Sequence, residues 1–148
     1  MKTKNLFVLL ALLPLTTFAG EMAKGSNYLV LDNQSWPTDE ASGFYIFSGT
    51  GIANVIDGPT ETGSIECHGS GFWSKNGSRA EGICLHGSGE DTFKSHYKMD
   101  EGQTTGHWKM LSGTGKYAGI NGEGTYTPTM LPGGRAISNW EGEVTLAE

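Results

Sequence analysis

Glycine falls inside the apolar runs of this chain, as in "SGTGIANVI", "CHGSGFW" and "INGEGTYTP", and not only between them. Glycine in the middle of a strand weakens it unless curvature or a close approach calls for it. The runs are short, alternate apolar with polar residues, and are separated by Gly, Asn, Asp and Pro. No helical period of 3.6 appears after residue 20. This is the pattern of antiparallel strands. It predicts strands over 27–33, 43–57, 62–75, 78–88, 91–99, 104–112, 121–129 and 135–146. Gly49, Gly51, Gly69, Gly71, Gly82, Gly122, Gly124 and Gly142 lie in or beside them. A small barrel needs such points to bend its sheet into closure, and a flat sandwich needs fewer. The expected fold is all-β, a single eight-stranded antiparallel barrel.

Alternation is clearest in the second half. Phe93, Tyr97 and Met99 share one face of 92–99, opposite Lys94, His96 and Lys98. Trp108 and Met110 oppose His107 and Lys109. Ala136, Trp140, Val144 and Leu146 oppose Arg135, Asn139, Glu141 and Glu143. Period two puts each set on a single side of the sheet, one side packed and the other wet. With 23 glycines and few Leu or Ala the chain is no helical bundle, and 10% aromatic content is too high for disorder.

The N-terminus predicts export. Lys2 and Lys4 precede an apolar run, Leu6 to Leu15, and Thr17-Phe18-Ala19 supplies small residues at a cleavage site. Residues 1–19 are read as a signal peptide and 20–148 as one barrel domain, periplasmic or secreted. No later stretch approaches the roughly 20 apolar residues of a membrane span, so membrane insertion is not expected. Removing Lys2 and Lys4 leaves 8 basic against 16 acidic residues, a formal charge of −8. Scattered Lys and Arg on so acidic a chain give no footprint for nucleic acid.

His-Gly-Ser-Gly occurs at His68–Gly71 and again at His86–Gly89, each copy close behind one of the two cysteines. Asn76-Gly77 between them is a strong hairpin signal. A strict two-residue turn there sets Cys67 opposite His86; a loop at Lys75-Asn76 sets Cys67 opposite Cys84. Both registers stay open. In an exported chain, cysteines on adjacent strands are most simply a disulfide. A metal is not expected: Cys67 and His68 point to opposite faces, and Cys84 with His86 falls short of the four ligands of structural zinc. Ser70 and Ser88 lack a Gly-x-Ser-x-Gly setting, so the repeat reads as two arms of one hairpin.

Other motifs carry less. Gly113-Thr114-Gly115-Lys116 has neither the upstream glycine nor the following Ser or Thr of a phosphate loop. Asn33-Gln34-Ser35 and Asn76-Gly77-Ser78 match the glycosylation sequon. Asp91, Asp100 and Glu101 read as solvated turns, since Ca²⁺ wants six to eight oxygens. Trp73, Trp108, Tyr126 and Trp140 lie on different strands, as core or as the wall of a cavity. Eight strands leave room for packed side chains or for one small ligand.

The run "LSGTGKYAGINGEGTYTP" from Leu111 to Pro128 resembles a segment of small exported bacterial proteins with an allene oxide cyclase-like, dirigent-like β-barrel. The likeness covers Gly113 to Ile120 together with Gly122, Gly124, Thr125 and Tyr126, and extends loosely over 62–146. It implies a calycin-like, allene oxide cyclase-like barrel and allows an oligomer. Where many relatives carry an Asp-x-Asp-Gly-Asp turn after the second Cys, this chain has Gly89-Glu90-Asp91. The polar set of the plant cyclases has no match here, so their isomerase activity is not implied.

The expected function is binding of a small, mostly apolar ligand, or an accessory structural role. Trp108, Tyr126 and Trp140 are the expected lumen residues, with Ser138 the nearest polar group. Gly113, Gly115, Tyr117 and Gly119 form a structural loop that folds back over one barrel end. No cofactor is called for. The alternatives are an isomerase or cyclase working on a lipid-like substrate in the lumen, and a carbohydrate-binding module with exposed aromatics.

Overall fold

The two-residue alternation becomes eight antiparallel strands in sequence order: β1 (Glu21–Pro37), β2 (Gly43–Asp57), β3 (Gly63–Ser74), β4 (Gly77–Ser88), β5 (Asp91–Met99), β6 (Gly106–Gly113), β7 (Asn121–Leu131) and β8 (Arg135–Thr145). The structure is a computed structural model describing residues 20–147; the expected signal segment 1–19 lies outside them. Each strand bonds to the next, and β1 closes the ring on β8, from Glu21 opposite Val144 to Val30 opposite Arg135. Closure gives every strand two neighbours. A single 3-10 turn, Gly115–Tyr117, interrupts the connection from β6 to β7. No helix among the described residues is long and apolar enough to cross a membrane.

β1 is far longer than the expected 27–33. Its early residues and its polar stretch Asp32–Ser35 show no apolar alternation. The neighbours hold them extended instead: β8 pairs with Glu21–Val30 and β2 with Lys24–Pro37.

At the β3–β4 hairpin, Ser74 pairs with Gly77, so the loop is Lys75-Asn76 and the strict Asn76-Gly77 turn does not form. That turn requires positive φ at both positions. Among the described residues no non-glycine has positive φ, and here only Gly77 does (φ 128°). Cys67 therefore faces Cys84, and the two form a disulfide (S–S 2.04 Å). The two candidate registers differ by two residues, which leaves the same side chains facing inward. Alternation alone cannot separate them; the sulfur pair does.

All eight strand glycines named from the sequence share the inward parity of the lumen-lining residues. They do more than bend the sheet. A methyl group at Gly69 or Gly82 would collide with the Tyr97 side chain, and one at Gly124 or Gly142 with the Trp108 indole. Inward glycines are the floor on which the lumen aromatics lie.

The outer surface is not uniformly wet, contrary to the simple two-face expectation. On β5–β8 it carries the charged set read from the sequence. On β1–β4, Trp36, Phe44, Phe72 and Arg79 line up in register across four strands. Trp36 stacks on Phe44 (4.9 Å, 15°), and the Arg79 guanidinium lies 4.6 Å from the Phe72 ring centre. Val30, Ile46, Ile52 and Ile56 are also exposed along β1 and β2.

Candidate functional site

Antiparallel order sends alternate connections to opposite ends of the barrel. One end carries residues 58–62, 89–90 and 114–120; the other carries 38–42, 75–76, 100–105 and 132–134. The first end is sealed. Glycines with positive φ at 115 and 119 reverse the chain there, and Tyr117 and Ile120 fold inside (3% and 5% exposed). The Tyr117 ring meets Phe93 edge-on at 5.0 Å, and its hydroxyl accepts the Glu61 N–H at 3.2 Å. Thr114 N–H donates to Thr92 O (2.7 Å), Lys116 N–H donates to Asp91 Oδ1 (2.9 Å), and Lys116 Nζ pairs with Glu61 (2.6 Å). One loop thus ties down both other connections at its end.

Above this floor the lumen holds a cavity of about 590 Å³, walled by side chains from all eight strands. The wall near the floor is dry, with Phe93, Trp108 and Met110 buried; towards the other end Asn33, Ser35 and Met130 are exposed. The end carrying 38–42, 75–76, 100–105 and 132–134, which includes the β3–β4 hairpin loop, is therefore the mouth, the hairpin end of the barrel.

Trp108, Tyr126, Trp140 and Ser138 all line this cavity. They are not equivalent. Trp108 lies deep, and its indole N–H donates to Thr125 O at 3.1 Å, so its polar atom serves the sheet. Trp140 meets Trp108 edge-on at 6.1 Å. Tyr126 meets Tyr97 edge-on at 6.0 Å. Burial pushes the Tyr126 phenol up to about 12 and raises that of Tyr97 further, with the neighbouring phenols adding to the effect. Both remain neutral donors at ordinary pH. Ser138 is buried beside Asn27 across the β1–β8 ladder.

Several wall residues escaped the sequence reading. Tyr45 and Phe47 on β2 carry the aromatic wall on from Tyr97 (Phe47–Tyr97, 6.3 Å). Their signal was the alternation Tyr45, Phe47, Gly49, Gly51, Ala53, obscured by apolar residues on both faces. The disulfide faces the lumen as well. The two His-Gly-Ser-Gly copies part company here. His68 is exposed and bonds Glu66 (2.7 Å), whereas His86 turns inward, stacks on Phe93 (4.4 Å, 8°) and shares a hydrogen bond with Ser95 Oγ (3.0 Å). The register explains this, since each histidine follows its cysteine by a different count and so takes the opposite face.

Burial pulls the His86 imidazole down from 6.5 to about 4. Between those values the unfolded chain takes up a proton that the folded chain refuses. Stability is thus full above pH 6.5 and falls as pH drops towards 4. The expected loss from this residue at pH 4.5 is about 2–3 kcal/mol. Urea denaturation of the wild type and His86→Phe at pH 7.5 and 4.5 checks it, and an equal pH response in both proteins would refute it.

No family model matches the sequence, and no curated protein does. Among solved structures, the fold matches that of a pterocarpan synthase dirigent protein, with a TM-score of 0.53, 11% identity, and coverage of 99% of this chain and 100% of that one. At that identity the likeness establishes the barrel fold alone.

Proposed function

We propose that this is an exported barrel that binds one small, mostly apolar molecule in its lumen, with Trp108, Tyr126 and Trp140 as the apolar wall and Ser138 as a polar contact. The carrying observation is the cavity of about 590 Å³ left between these side chains and open at the hairpin end. That volume falls within the range of small-molecule sites, which are mostly apolar with a few placed polar groups. A cleaved signal at 1–19 would deliver the chain to a compartment where the Cys67–Cys84 disulfide persists. The structural neighbour is named a synthase. Among the described residues the lumen histidine, His86, shares its hydrogen bond with Ser95, stacks on Phe93 and is paired with no carboxylate, which favours binding over catalysis.

Tryptophan fluorescence of the protein from Gly20 onward, titrated with terpenoids, fatty alcohols, fatty acids and oligosaccharides, tests this reading. Saturable quenching by an apolar compound is expected, and Trp140→Ala should abolish it while far-ultraviolet circular dichroism is unchanged. Quenching by oligosaccharides alone would overturn the lumen reading.

A further inference from the structure

The lumen carries a chemical preference of its own. Asn27 and Ser138 are cross-strand partners on the β1–β8 ladder, and both line the cavity. Asn27 Oδ1 is buried and accepts no hydrogen bond from any described residue. A buried acceptor without a donor is unfavourable, and a donor on a lumen occupant relieves it once the Asn27 amide turns from the wall into the cavity, since the oxygen has no exposed surface while the lumen is empty. Ser138 sets a hydroxyl beside it.

The wall's charges point the same way. Among the described residues no Lys or Arg lines the cavity, and its only acid or base side chains besides the tyrosines are Glu61 and His86. The Glu61 carboxylate, at the floor, is 71% exposed and already paired with Lys116, so it leaves no uncompensated charge for a cation. His86, pulled down to about 4 by burial, is neutral at pH 7.5. A carboxylate entering this lumen would shed its water and find no counter-charge.

We infer, resting on the lumen reading above, that the occupant is an uncharged molecule with an apolar body and a hydroxyl-type donor, seated with that donor on Asn27 Oδ1 beside Ser138, and that carboxylates are rejected. This selection is independent of which apolar skeleton fits.

Rigid probes test it best, because a flexible fatty acid can leave its carboxylate in water at the mouth. Naphthalene, 2-naphthol and 2-naphthoate share one skeleton and differ only in the group that meets the wall. Calorimetric titration at pH 7.5 should show 2-naphthol binding roughly 10-fold or more tightly than 2-naphthoate, and several-fold more tightly than naphthalene. Asn27→Leu should erase the advantage of 2-naphthol over naphthalene while naphthalene still binds. Ser138→Ala should reduce the same advantage, and it serves if Asn27→Leu fails to fold. Equal or tighter binding of 2-naphthoate overturns the inference and leaves the lumen reading standing. An undiminished 2-naphthol advantage in the variants overturns the assignment to Asn27 and Ser138. If none of the three probes binds, the lumen reading falls and this inference with it.

Discussion

Tyr117→Ala is expected to destabilise the protein by about 3–5 kcal/mol, the range for truncating a buried aromatic. Tyr117 is 3% exposed, packs edge-on against Phe93, and takes the Glu61 N–H through its hydroxyl. Its loss opens the barrel floor from within and leaves that N–H unpaired. Tyr117→Phe keeps the ring and gives up only the hydrogen bond, so it should cost about 1 kcal/mol. Urea denaturation followed by tryptophan fluorescence separates the two variants. An unchanged midpoint for Tyr117→Ala would mean that the 114–120 loop does not seal the barrel.

Replacing both Cys67 and Cys84 with alanine should lower stability by about 3 kcal/mol, the chain-entropy value for a loop of this size. The bond spans 17 residues and lies in the lumen wall, with its cysteines 3% and 7% exposed. Its second effect is on register. A two-residue slip of β4 along β3 keeps every inward side chain inward and would let Asn76-Gly77 form its preferred turn. The sulfur pair forbids that slip outright, and the ladder of β4 with β5 opposes it. The double variant should therefore show a lower denaturation midpoint and, by amide NMR, extra peaks for 63–88 from a slipped population. Two free thiols in denatured, unreduced wild-type protein would refute the premise.

These cases show where the sequence was legible. Strand count and the inward set of β5, β6 and β8 followed from period two, because charges such as Lys94, Lys98 and Glu141 alternate with rings there, and closure followed from the glycines inside the strands. β1–β2 were harder to read. Trp36, Phe44 and Ile46 are apolar on the outer face, so the two faces of those strands look alike. The extent of β1 came from its neighbours, since Asp32–Ser35 has no apolar reason to be extended. Trp108, Tyr126, Trp140 and Ser138 were placed on one inner surface by alternation alone. Asn27 and His86 were not found as wall residues, because a polar side chain in a strand reads as a surface one until the parity of eight strands is fixed. Nor does any local pattern give the cavity: its volume depends on how far glycines such as Gly82 and Gly124 let rings from other strands sink into the wall.

The pairing of Glu21 with Val144 sets both ends of the barrel strand order at the sealed floor, across the molecule from the mouth. Anything joined before Gly20 or after Thr145, whether an affinity tag, a solid support or a second protein, would hang from the base like a stem from a cup. The opening would then point away from the attachment and stay accessible to solutes. An insertion at 38–42 or 132–134 would instead stand at the rim, where it could act as a cover. Under the proposed lumen-binding function, the protein immobilised in the first manner should load and release small molecules as freely as the same protein free in solution.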